Sequence, residues 1–116
     1  MKYMLLLYDR GDWFESATSE EFAAAMDEHN AFDAFLRARG ATYSGEALQD
    51  AKTATSLRSS GNGETVITDG PYVDLKEHLG GFHIIEAADL DDAIEVAKRC
   101  PSAGIEIRPV MEISEN

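Results

Sequence analysis

Tyr3-Met4-Leu5-Leu6-Leu7-Tyr8 is apolar at every position. A strand with one face in water alternates apolar and polar residues, so this run predicts a strand covered on both faces. Further on the apolar spacing becomes helical. Phe22, Met26 and Leu36 fall on one stripe, with His29 among them. Thr18-Ser19-Glu20-Glu21 stands ahead of the stripe as a capping box, and Gly40 supplies the left-handed residue that ends a helix running to about Arg39. Gly11 to Ala17, with Trp13 and Phe14, reads as a loop. Thr42 to Leu48 predicts a more polar strand. Thr53 to Arg58 and Glu64 to Thr68 predict a hairpin around Ser59-Ser60-Gly61-Asn62-Gly63. Leu79 to Glu86 is strand-like again. Asp89 caps a second helix, with Asp91 and Asp92 at its positive end. Pro101 follows that helix, and a last strand lies within Ile105 to Ile113.

This order predicts an α+β fold, ferredoxin-like with an added hairpin, as one domain over residues 1–116. Both helices should cover one face of an antiparallel sheet. The two-sided apolar run then calls for a cover on the other face, and a second copy of the chain is the simplest one. Two sheets face to face give a homodimer with a closed interior. The net charge of −12 disfavours nucleic acid and anionic membrane surfaces as partners. No apolar run reaches membrane-spanning length, and the N-terminus lacks signal-peptide order, so the expected location is cytoplasmic. Cys100 is the only cysteine, which excludes an internal disulfide.

The candidate chemistry gathers around two places. The first is His29, with Asp33 four residues on and within reach on the same helical side. A carboxylate beside an imidazole orients it for general-base work. The second is the turn Thr68-Asp69-Gly70-Pro71-Tyr72 and the ionisable groups Asp74, Lys76, Glu77 and His78 that follow it. Asp-Gly-Pro is strong turn chemistry. Asp69 has a turn role and a candidate role in orienting His29 or a substrate. Lys76 and Arg108 are candidate holders of negative charge on a ligand. Glu77 reads as solvated, and Cys100 as a buried, inert thiol. The three histidines have no standard ligand spacing, so neither a metal nor another cofactor is expected. Gly80-Gly81 marks either a strand bulge or a close backbone approach by a ligand.

The chain resembles the YCII-related family, in the branch named for an Asp-Gly-Pro-Phe (DGPF) motif. The resemblance covers nearly the whole length. It is carried by Lys2-Tyr3-Met4, Met26-Asp27-Glu28-His29, Gly45-Glu46-Ala47-Leu48, Thr53-Ala54-Thr55-Ser56-Leu57-Arg58, Thr68-Asp69-Gly70-Pro71-Tyr72, Lys76-Glu77, Leu79-Gly80-Gly81-Phe82, Asp89-Leu90-Asp91 and Glu106-Ile107-Arg108-Pro109. Tyr72 replaces the name-giving Phe, Asp74 stands where Glu is common, and His78 where Gln is common. The resemblance implies a dimeric α+β barrel and a pocket histidine with an acidic partner. It also implies a regulatory partner related to sigma factors. Two functions follow as expectations. One is a cofactor-independent isomerase or lyase, with proton transfer by His29 on a small aromatic or anionic molecule. The other is a non-catalytic ligand-binding or protein-interaction module.

Overall fold

The computed structural model describes residues 1–40 and 43–113. Strand β1 spans Lys2–Arg10, helix α1 Trp13–Ser16, helix α2 Ser19–Ala38 and strand β2 Tyr43–Ala47. A single 3-10 turn at Ala51–Thr53 leads into β3, Thr55–Ser59, and β4, Thr65–Asp69. Strand β5 runs Glu77–Glu86, helix α3 Leu90–Ala97 and strand β6 Gly104–Pro109. The fold is α+β with antiparallel sheets. The larger sheet has the order β2-β5-β1-β6, and β3 and β4 form a separate two-stranded sheet.

Local chemistry explains the boundaries of α2. The Thr18 hydroxyl accepts from the Glu21 N–H at 3.1 Å, and the Glu21 carboxylate accepts from the Thr18 N–H at 3.3 Å. Gly40 follows the helix with φ +73°. At α3 the Asp89 carboxylate accepts from the Asp92 N–H at 2.9 Å. The Arg39 guanidinium then joins the helices, donating to the Glu86 carbonyl at 3.1 Å and to Asp92 at 3.4 Å. The Asp92 carboxyl lies below its usual range, held there first by the Ala88 N–H and then by Arg39.

The core lies between the helices and one face of the larger sheet. Tyr3, Leu5 and Leu7 of β1 are buried against Phe32 and Leu36 of α2, Ala93, Val96 and Ala97 of α3, and Ile85 of β5. Met4 and Leu6 point to the other face and are only half-buried. Their cross-strand neighbours there are Ile84 and Phe82. The apolar run of β1 therefore serves two faces, of which the helices cover one.

Several elements differ from the sequence expectations. Gly11 to Ala17 contains the short helix α1, because Trp13 packs edge-on to Phe14 at 5.3 Å and against Phe22 of α2 at 5.9 Å. That aromatic contact is tertiary and invisible in local sequence. Strands β1 and β5 are longer than expected because Asp9 and Arg10 pair with His78 and Glu77. Strand β6 begins at Gly104, one residue before the expected span, and ends within it at Pro109. The expected start of β2 at Thr42 falls outside the described residues.

Candidate active-site cavity

The register between β1 and β5 slips between Leu7 and Tyr8. Leu7 faces Gly81 and Tyr8 faces Leu79, so Gly80 is left over as a bulge. One extra residue reverses the in–out alternation of a strand. His78 thus comes opposite Asp9, on the side of the sheet that carries Leu5 and Leu7. Regular pairing would have put it on the far side with Phe82 and Ile84.

Small residues at this end of the sheet, Gly80, Ala47 and Ala103, leave the N-terminal half of α2 without a partner surface. The space is a cavity of about 770 Å³, in the range of small-molecule sites. Phe22, Met26 and His29 of α2 form one wall. Trp13 and Phe14 of α1 close an aromatic side. Asp9 and His78 line the sheet side, and Cys100 and Ser102 the floor beyond α3. At the rim Lys52 bridges to Glu15 at 3.0 Å and to Asp50 at 3.7 Å, which ties α1 to the connection after β2. The Lys52 ammonium is held above its usual pKa, first by its hydrogen bond to Glu15.

Two close approaches hold the histidines. The imidazole of His78 lies over Gly11, where a Cβ would come within 2.9 Å of Cε1. Gly11 also donates its N–H to the Lys76 carbonyl at 2.7 Å. The imidazole of His83 lies over Gly45 of β2, where a Cβ would come within 2.6 Å of Nδ1 and 2.5 Å of the Phe82 carbonyl oxygen. His83 also meets the Phe32 ring edge-on at 5.1 Å.

Burial depresses the pKa of His83. The charge of Asp33 works against that depression, and His29 adds to it. Burial raises the Cys100 thiol to about 12, with help from Asp9 and Asp33. The thiol is therefore neutral near pH 7 and is no nucleophile. Asp33 is close enough for its charge to act on both groups.

Of the residues singled out by sequence, His29 lines the cavity and Asp33 does not, and no hydrogen bond or ion pair joins the two side chains. Asp69 is exposed at the end of β4, opposite Thr55. The turn it begins is fastened by the Ser56 hydroxyl, which donates to the Gly70 carbonyl at 2.7 Å. Lys76 reaches the rim only through its backbone carbonyl, and its side chain is exposed. Arg108 is opposite Met4, on the sheet face away from α2, and pairs with Glu106. Sequence reasoning left out Asp9, and left His78 without a role. Their only sequence signal is Gly80-Gly81 inside a strand, which permits a bulge without revealing which way it turns His78. Among the described residues, no group of three His, Cys, Asp or Glu side chains is placed to hold a metal ion. No helix among them is long and apolar enough to cross a membrane.

The chain matches the YCII-related domain over residues 1–114. It is 32% identical over 115 residues to uncharacterized protein R00369 of Rhizobium meliloti (strain 1021), covering 95% of this chain and 92% of that protein. The chain belongs to the YCII-related family.

Proposed function

We propose that this protein binds a small, largely apolar aromatic molecule in the cavity and that His29 moves a proton on it. The observation that carries the reading is the His29 imidazole beside Phe22, Met26, Trp13 and Phe14 in the lining of the cavity. Aromatic side chains that line a concave site beside a few polar groups are what recognises such a ligand. Of the two ligand classes expected from sequence, the anion is the less favoured. Asp9, Glu28 and Asp50 line the cavity against Arg10, and Arg10 is itself paired with Asp12 at 3.3 Å. The reaction needs no cofactor: the imidazole takes a proton from a carbon next to an electron-withdrawing group. It returns the proton to another carbon in an isomerisation, or a leaving group departs with the electron pair in an elimination. Asp33, one helical turn on, would orient the imidazole by closing a contact with it when ligand binds.

The strand order β2-β5-β1-β6 supports the ferredoxin-like reading. The half-buried apolar face of Met4, Leu6, Phe82 and Ile84 supports pairing of two copies in a dimeric barrel of the DGPF branch. A thermal-shift screen of small aromatic acids, phenols and enones against wild type and His29→Ala tests the function. The expected result is a hit that stabilises wild type and not His29→Ala, with the variant melting near wild type. A strongly destabilised His29→Ala, together with no hit for wild type, would overturn the reading.

A further inference from the structure

The rings of Trp13 and Phe14 meet at an interplanar angle of 89°, and both line the cavity. They form an aromatic corner, which Phe22 extends on the α2 side. The electron-rich faces of such rings attract cations as well as apolar surface. On the sheet side of the same cavity is Asp9. Its Oδ1 accepts from the Ala103 N–H at 3.3 Å, which fixes the carboxylate. A Cβ on Gly80 would come within 3.3 Å of Oδ2, so the missing side chain at the bulge leaves that oxygen open. Among the described residues no basic side chain forms an ion pair with Asp9. Its charge reaches the cavity floor, where it adds to burial in raising the Cys100 thiol. The other charged groups of the lining do not offset it. Arg10 is paired with Asp12 at 3.3 Å, Asp50 is paired with Lys52 at 3.7 Å, and Glu28 is a further carboxylate.

We propose that the cavity's ligand is an organic cation, an aryl-alkyl amine whose ring stacks in the Trp13–Phe14 corner and whose ammonium donates to Asp9. The proposal rests on the reading of the cavity as an aromatic-ligand site and adds the charge that the ligand carries. Desolvation is the first argument. A neutral ring filling the cavity would strip water from Asp9 and leave a carboxylate unpaired, a cost that an ammonium removes. The field is the second. A net charge of −12 draws cations toward the opening, and apolar walls focus that field within the cavity. The aromatic corner and the open carboxylate lie on different elements, so the one recognises a ring and the other a charge on the same molecule.

Trp13 is the only tryptophan, so its fluorescence reports the occupancy of this cavity. Titrations at about pH 8, where a primary amine is charged, compare phenethylamine with phenethyl alcohol, phenylpropionate and butylamine. Phenethylamine should bind at least about tenfold more tightly than each of the others, the size of one charge-assisted hydrogen bond. Asp9→Asn keeps an oxygen that can accept from the Ala103 N–H, so it should retain native circular dichroism. In that variant amine and alcohol should bind within about twofold of each other. Equal binding of amine and alcohol to wild type would refute the cation and leave the aromatic cavity standing. Butylamine binding as tightly as phenethylamine would reduce the effect to attraction by the acidic surface and overturn the proposal. An amine preference that survives Asp9→Asn would overturn it too. The wild-type series decides the matter even where Asp9→Asn fails to fold. If none of the four compounds changes Trp13 fluorescence, the cation and the aromatic-ligand reading fail together. The amine preference should persist in His29→Ala, so the proton-transfer role of His29 can fail while the cation stands. Its loss there would move the contact from Asp9 to His29 and refute the proposal.

Discussion

Cys100 is a buried and His83 a half-buried titratable group, and their pH signatures have opposite signs. The folded-state pKa of Cys100 is raised from 9.0 to about 12. Its contribution to stability is therefore full below pH 9 and is lost as pH rises toward 12, where the unfolded chain ionises and the folded one does not. Cys100→Ala should flatten that alkaline slope in urea titrations, and a thiol reagent near neutral pH should label Cys100 only after unfolding. His83 is depressed below 6.5 by burial. Its contribution is present above 6.5 and lost as pH falls, because the unfolded imidazole takes up a proton that the folded one resists. Proton uptake on unfolding near pH 5.5 should be smaller by up to one proton in His83→Gln. Gly45→Ala forces a methyl against the His83 ring and the Phe82 carbonyl, and should cost about 1–3 kcal/mol by denaturant titration. None of the three environments is marked by neighbours in sequence. Gly45 and His83 meet only because β2 pairs with β5.

At the scale of elements, α2 is one amphipathic helix with two different jobs. Its stripe predicts a single buried face, yet Leu36 is 2% exposed and Met26 is 46% exposed. Leu36→Ala should cost about 2–5 kcal/mol in chemical denaturation, whereas Met26→Ala should cost well under about 1 kcal/mol and act on ligand binding instead. An apolar stripe reports that residues avoid water, and a cavity wall satisfies that condition as well as a core does. The capping box was readable because it depends on four consecutive residues. Thr18→Ala should lower stability by about 1 kcal/mol, and a smaller loss would mean that α1 packing already holds the helix start. Helix α1 could not be read locally, since Trp13 owes its place to Phe22.

At the scale of the molecule, a charge of −12 on 116 residues repels itself in the folded state. Raising ionic strength from about 0.02 M to about 0.3 M shortens the screening length several-fold and should raise the melting temperature. A fall would mean that the bridges of Lys52 and Arg39 outweigh the repulsion. The α+β class with antiparallel sheets could be anticipated from the order of elements, because few arrangements suit strands and helices in that order.

The division between what the residues dictate locally and what the fold adds follows from range. Helix caps, the Asp-Gly-Pro turn, the hairpin, the acidity and His29 as a candidate rest on neighbours a few positions apart, and each could be derived before any coordinate. The cavity itself, the presence of Asp9 and His78 in it, and the neutral state of Cys100 depend on pairing between residues some 70 to 90 positions apart. There a single bulge at Gly80 chooses the side on which an imidazole lands. Alternation along a strand is strict, so one extra residue reverses every assignment beyond it. Only the paired partner strand reveals that the residue is extra.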